Sequence, residues 1–579
     1  MQRAGPVLRA IAINDQISPA LLDSLWSAGV MEKKSEALKV FVELIDHLNS
    51  SLLPVVMQRI IDSLKESIVS VNVLSLIQLT SAVVARCRSV LVDKEWEITD
   101  SLGLDHPNRR ILDIYNEGTE ILLKFVVHVD FDEAISAQSL QRLESIVIVK
   151  RPSTEDANHT FLWRIQFFLL VPLIERAIRN IANNVSVCHM LRLLQVLLIG
   201  WPQAPKKTDV CEEVMDHEIP KIITNRSELV KYLESTYGVI EVVTNSILLL
   251  KRDYNNALFQ YLSNFSQEIS PLFFLEKKTA EDISDLTSTT LGLFPLEDSK
   301  LDESISSLKV GNSRFSYTEH LSRLFDFIHL YARCSDALQL SLSTIEKVCA
   351  ALAHHSVTVI EHDIFISFID RLVYKHATTI SSANVNDQSA EASKDKELPK
   401  RKAVTSRETL KWVFLNVLCD EASAGLLRSK LFSTKTFNCV EKWFVWLNAD
   451  LGYIKETGSL LSVVENTASL LGSDVFLKII LTCPSDGVAL QSVKFLSLLP
   501  QNFSPELIAA GAATAFRMSM LSKCMDELQQ LHGEIRQNKI DIKTPLRLPR
   551  IIMFLEGILE VSVIFCSRKD IYEIISNFQ

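Results

Sequence analysis

Hydrophobic side chains recur along most of this chain every three or four residues, and the stretch from Ser316 to Lys375 shows the rule three times in succession. Tyr317, Leu321, Leu324, Phe325, Ile328 and Tyr331 fall on one side of a first predicted helix, with Glu319, Arg323 and Asp326 elsewhere around it. Ile345, Val348, Cys349 and Leu352 mark a second, for which Ser343 and Glu346 offer a capping-box start. Ile364, Phe365, Phe368, Ile369 and Leu372 mark a third, with Asp370 and Arg371 between them. A helix of this kind cannot bury its stripe alone and must lie against a neighbour. Helix, short polar turn, helix is the grammar of a stacked array. The predicted fold is therefore all-α, an armadillo/HEAT-like α-solenoid of stacked helical hairpins.

The same period continues in both directions. Ser18 is placed to cap a short helix starting at Pro19, and Leu38, Phe41, Leu44, Ile45 and Leu48 form the stripe of the next. Helices are expected over 53–64, 73–91, 109–128, 134–149, 160–182 and 186–200, the last stopped by Gly200, Trp201 and Pro202, and then from Ser227 to Lys251. Beyond the middle of the chain they are expected at Leu410 to Cys419, Thr436 to Trp446, Leu460 to Leu471, Val475 to Ile480, Val488 to Leu499, Pro505 to His532 and from Leu548 onward. One helix about every 20 residues, or about 40 per hairpin, is the spacing of HEAT or armadillo units, although no repeated consensus is visible.

Two stretches break the period. Residues 276–315 are rich in Ser, Thr, Asp and Gly and read as a polar surface loop. Residues 376–409 carry almost no large apolar side chains, so ordering them costs backbone entropy with little burial in return, and they read as a flexible linker. The expected layout is an N-terminal array over 1–275, the polar loop, helical repeats over 316–375, the linker, and a C-terminal array over 410–579.

Composition agrees with long helices. Only 16 Gly and 17 Pro are spread over 579 residues, too few for a sheet-rich fold that turns every ten residues or so. The net charge of -10 repels a phosphate backbone, so nucleic acid is not the expected partner. Ten scattered cysteines form no CxxC pair and suit buried thiols in a reducing compartment, the cytoplasm or also the nucleus. The first sixteen residues lack the apolar core of a signal peptide. The most lipid-like run, Ile165 to Ile174, is half the length of a membrane span and reads as a buried helix, so no membrane role is expected. Asn158, Asn184, Asn225, Asn264 and Asn502 head Asn-x-Ser/Thr triplets that fit chance matches in a cytosolic chain.

The sequence has no phosphate-binding GxxxxGK[ST] loop, no GxGxxG after a strand, no HExxH and no GxSxG. His354, His355 and His362 with Asp363 come nearest to a metal cluster. The first two are adjacent and point to different sides of a helix, so a surface cluster at a helix end is the better reading. Cys439, beside Asn438 and among Phe437, Val440 and Phe444, reads as a packed thiol. Pro399 to Lys402, PKRK, reads as a solvated charge run in the linker before it reads as an import signal. Trp412, Phe414, Trp443, Phe444 and Trp446 read as core, with some of them available to wall a groove that holds an extended partner. No catalytic, cofactor-binding or metal-binding residue is assigned, and no cofactor is expected.

Several helices resemble one family. The phrases YTEHLSRLFDF, LQLSLSTIEKVCAAL and EHDIFISFIDRL, then ETLKWVFLNVLCD and TFNCVEKWFVWL, are similar to successive units in the helical-repeat region of the giant fat-facets-type ubiquitin-specific proteases. So is SPALLDSLWSAGVMEKKSEALKVFVELIDHLNSSLLP near the start. The resemblance covers residues 18–95 and 316–500, helix by helix. It implies a non-catalytic scaffold, placed ahead of a papain-like protease domain, that docks ubiquitin-pathway substrates or adaptors. The family's cysteine box, of the Gly-Asn-Thr-Cys-Tyr type, and its Gly-His-Tyr histidine box are both absent here, so no catalytic residue carries over. The expectation is a non-enzymatic protein-interaction solenoid, either a fragment of a longer deubiquitinase or a stand-alone relative. The alternative is a transport or complex-assembly adaptor unrelated to ubiquitin.

Overall fold

The protein is described by a computed structural model. It describes residues 17–65, 73–93, 107–128, 132–147, 159–201, 225–267, 305–310, 315–335, 338–353, 358–373, 405–419, 432–456, 462–467, 470–483, 485–536 and 544–565, with a few isolated positions. Among them the fold is all-α: twenty α-helices and one two-stranded sheet. Consecutive helices cover one another's apolar faces, as in a helical solenoid. The chain forms two compact units, one of residues 1–249, 311–315 and 323–338, the other of residues 250–310, 316–322 and 339–579.

In the first unit the opening helices are α1 (Pro19–Trp26), α2 (Ser35–Ile45), α3 (Leu53–Lys65), α4 (Val73–Asp93) and α5 (Pro107–Val127). Ser18 caps α1 as expected, its hydroxyl accepting from the Leu21 amide, with Pro19 in the first turn. Then come α6 (Glu133–Val147), α7 (His159–Ala182), α8 (Val187–Gly200) and α9 (Arg226–Tyr237). From α2 to α8 each helix packs on the helix two places along the chain, and most of them also on the next, which is how a row of amphipathic helices closes its cores locally. A close approach falls at Gly118 of α5, where a Cβ would lie 2.4 Å from Val84 Cγ2 of α4 and 2.9 Å from Met57 Cε of α3. Only the missing side chain lets the three helices meet there. By length and composition Val73–Leu91 is apolar enough to cross a bilayer, and half of that stretch is buried inside the protein. In the Ile165 to Ile174 run Leu169, Leu170, Leu173 and Ile174 are buried within α7.

The single helix expected from Ser227 to Lys251 is two. Gly238 adopts φ +57° and ends α9, its amide donating to the Glu234 carbonyl, and α10 (Val239–Gln267) leaves at a bend of 63°. A left-handed glycine after the last turn is a stop signal that hydrophobic period alone does not register. Asn225, one of the sequon asparagines, is the N-cap of α9 and accepts from the Glu228 amide.

The second unit continues with the start of α11 (Tyr317–Arg333), then α12 (Leu342–Leu352) and α13 (Val359–Val373). The cap of α12 is Ser341, accepting from Thr344, and not the expected Ser343, so the helix starts two residues earlier than the capping-box pattern suggested. Most of the 276–315 and 376–409 stretches lies outside the described residues. At the end of the second, Thr405 donates to the Leu340 carbonyl at 2.5 Å and Ser406 caps α14 (Arg407–Val413), so this helix starts before the expected Leu410. A π-helical turn, Phe414–Leu418, follows. The remaining helices are α15 (Thr434–Asp450), α16 (Ser473–Thr482), α17 (Asp486–Leu498), α18 (Pro505–Ala509), α19 (Ala512–Arg536) and α20 (Thr544–Phe565).

The helix expected from Leu460 to Leu471 is not formed among the described residues. Strand β1 (Ile454–Glu456) pairs antiparallel with β2 (Ser462–Val464), Ile454 opposite Val464. The sequence holds the reason: the β-branched Val463 and Val464 fit a pleated surface. Asn448, fully buried on α15, then fixes the returning chain by donating to the Leu471 carbonyl at 3.1 Å and accepting from the Leu471 amide at 2.9 Å.

Among the described residues, one ion pair of the second unit has both partners buried. Lys251 of α10 donates to Glu361 of α13, and both side chains are almost fully buried. Tyr317 of α11 donates its hydroxyl to the same carboxylate at 2.6 Å, while its ring stacks on Tyr254 with centroids 3.7 Å apart. The ammonium lies 5.2 Å from the Tyr254 ring centroid. Removing one partner of such a pair leaves a buried charge unmatched, at a cost of about 3–5 kcal/mol. Glu361→Gln is therefore expected to lower the urea midpoint of the second unit markedly, and the paired change Lys251→Met with Glu361→Leu to recover most of the loss. Equal midpoints for wild type and Glu361→Gln would contradict this assignment.

Candidate functional site

The second unit carries an open cleft of about 430 Å³ between α15 and α17, closed at one end by the β-hairpin. Helical spacing builds both walls. Phe437, Asn438, Glu441, Phe444 and Val445 share one face of α15, and Gln491, Lys494, Phe495 and Leu498 share one face of α17. Ile454 and Val464 come from the two strands, and Leu499 and Asn502 from the turn after α17. Phe437 and Phe444 are buried beneath the opening, and Phe444 meets Phe495 edge to face at 5.6 Å. Phe476 of α16 packs behind both rings, 5.4 Å from Phe444 and 4.2 Å from Phe495. Aromatic pairs in these arrangements add about 0.5–1.5 kcal/mol each beyond their burial, so the floor is firm.

The polar groups are at the rim. Asn438, Gln491 and Lys494 are exposed and Glu441 and Asn502 half-buried, and among the described residues none of the five meets a hydrogen-bond or ion-pair partner. Burial pushes the Glu441 carboxyl above its ordinary range. The neighbouring Lys442 does not offset it, because its ammonium turns to the other side of α15 and binds Asp370 of α13 at 2.7 and 2.9 Å. That other side is locked. Ser433 donates to Asp363 at 2.7 Å, and Thr436 Oγ1 lies 3.5 Å from His362 Nδ1.

The residues singled out in the sequence fall into different places. His354 and His355 lie outside the described residues, as does PKRK at 399–402. His362 is no surface residue: it is 1% exposed between α13 and α15, its Nε2 has no partner, and burial lowers its pKa to about 4. Asp363 is engaged by Ser433 and does not join it in a cluster. Among the described residues no three His, Cys, Asp or Glu side chains converge as metal ligands would. Cys439 is the packed thiol its neighbours implied, buried on the α13 side, with burial holding its pKa well above the usual thiol value. Of the aromatics, Phe414 and Trp443 are core, Trp412 and Trp446 are half-buried, and Phe444 alone lines the cleft. Glu441, Lys494 and Gln491 went unnoticed in the sequence, and Asn502 stood out there only as the head of an Asn-x-Ser triplet. Glu441 and Lys494 read there as ordinary solvated charges, and only the meeting of two helix faces distinguishes them.

Two pH effects follow. The unfolded chain binds a proton at His362 near pH 6.5 and the folded one only near pH 4, so this residue subtracts stability as the pH falls through that window. Wild type is expected to lose more stability between pH 6.5 and 4 than His362→Gln, measured as urea midpoints, and parallel curves would refute it. Glu441 acts with the opposite sign. Its raised pKa favours the folded state only while the carboxyl is protonated, so Glu441→Gln is expected to raise the melting temperature at pH 7 and to leave it unchanged below about pH 4. A destabilised Glu441→Gln at pH 7 would show that the carboxylate has a partner after all.

Compared with family models, curated proteins and solved structures, this chain has no match, and nothing beyond its own sequence ties it to the deubiquitinase repeats.

Proposed function

We propose that this chain is a non-catalytic helical-repeat scaffold that holds other proteins, similar in role to the repeat region of the fat-facets-type deubiquitinases its sequence resembles. The observation that carries the reading is the cleft. An apolar floor ringed by unengaged polar groups, set on rigid helices, suits recognition, and none of its groups is arranged as a nucleophile with a base. The thiols support the same reading. A cysteine nucleophile needs a depressed pKa, whereas burial pushes Cys87, Cys334, Cys349, Cys439, Cys483 and Cys524 upward.

The purified chain is expected to leave ubiquitin-rhodamine intact over hours at micromolar concentration. Crosslinking in cells is expected to isolate ubiquitin-pathway proteins with it. Rhodamine release that disappears on mutating a single cysteine would overturn the non-catalytic reading. Partners confined to nuclear transport or the cytoskeleton would favour an assembly adaptor unrelated to ubiquitin.

A further inference from the structure

The polar groups of the α15–α17 cleft are of a kind that selects its occupant. Asn438, Gln491 and Asn502 each carry a donor and an acceptor side by side, unused among the described residues. An extended peptide offers the matching pair from the backbone of every residue, whereas a helix has already spent those groups on itself. Glu441 lacks a cation while it sits half-withdrawn from water beside Phe437 and Phe444, with its neighbour Lys442 committed to Asp370. An arriving ammonium or guanidinium would supply what that carboxylate is missing. Lys494 on the facing wall repels a second cation, so the two walls distinguish the two sides of whatever enters. The phenylalanine floor leaves room for one bulky apolar side chain.

We propose that this cleft binds an extended segment of a partner protein in which a bulky apolar residue adjoins a lysine or arginine, the apolar side chain resting on Phe444 and Phe495 and the cation pairing with Glu441. This rests on the scaffold reading above and names the class of segment that the scaffold holds.

The test titrates the intact chain into three pools of fluorescein-labelled, end-blocked hexapeptides, degenerate except for a central Phe-Arg, Phe-Gln or Phe-Glu, and reads anisotropy. The Phe-Arg pool is expected to bind about tenfold more tightly than the Phe-Glu pool, as one charge-assisted hydrogen bond commands. Glu441→Gln is expected to reduce that preference to about twofold or less, and Asn438→Ala to weaken all three pools alike, with circular dichroism confirming that both variants fold. Equal affinities for the three pools, an undiminished preference in Glu441→Gln, or displacement of the peptide by phenethylamine at equal concentration would overturn the proposal. Crosslinked cellular partners separate its failure from that of the scaffold reading. Partners retained equally by wild type and Glu441→Gln would remove the cleft and leave the scaffold standing, while a chain that retains no partner would remove both.

Discussion

A buried lysine and a buried glutamate, 110 positions apart in the chain, hold the second unit in register. Taking two charges out of water costs several kcal/mol per ion, and the attraction between them repays this only when geometry is close and the remaining valences are satisfied. Here the hydroxyl of Tyr317 donates to the same Oε1 of Glu361 that accepts from Lys251, and the stacked rings of Tyr254 and Tyr317 flank the ammonium. The Tyr254 hydroxyl reaches the Ile305 carbonyl at 3.4 Å, and Thr358 caps the first turn of α13 by accepting from the Glu361 amide at 3.1 Å. A slide of α10 or α13 by one residue would leave a charge alone in the core, and a slide of α11 would take away the hydroxyl that supports the carboxylate. Within the second unit the segments around Lys251, Tyr317 and Glu361 are therefore held in one register.

The consequence travels outward through α13. Its polar side chains Asp363 and Asp370 grip Ser433 and Lys442 of α15, one near the start of that helix and one in its middle, so the rotation of α15 is fixed. With Cys439, Val440 and Trp443 turned inward, Asn438, Glu441 and Val445 must face away, where α17 and the hairpin meet them. A core requirement thus sets the wall of a surface cleft. The unengaged polar groups there are what remains of α15 after its inward side has been satisfied.

Local packing was legible in the sequence because it is written in local spacing. The stripes on Leu38 to Leu48 and on Tyr317 to Tyr331 are buried as their period required, and Ser18 caps its helix. Interruptions were harder to see. Gly238 ends one helix and frees the next through a left-handed turn, and strand Ser462–Val464, paired with Ile454–Glu456, lies where the leucine spacing suggested a helix. Features made by contacts distant in sequence were invisible. Nothing near Lys251 announces Glu361, and nothing near His362 announces that α15 will cover it. The cleft belongs to this last kind, since its two walls lie some fifty residues apart and each reads alone as an ordinary solvated helix face.

Native-state hydrogen–deuterium exchange on the intact chain carrying Lys251→Met tests the dependence of the cleft wall on the buried pair most directly. The account predicts that protection falls together in the peptides of α10 around residue 251, in α13 and in the 437–447 stretch of α15, with helices α4 to α6 of the first unit unchanged. Loss of protection confined to the neighbourhood of residue 251, with α13 and α15 as slow to exchange as in wild type, would contradict it.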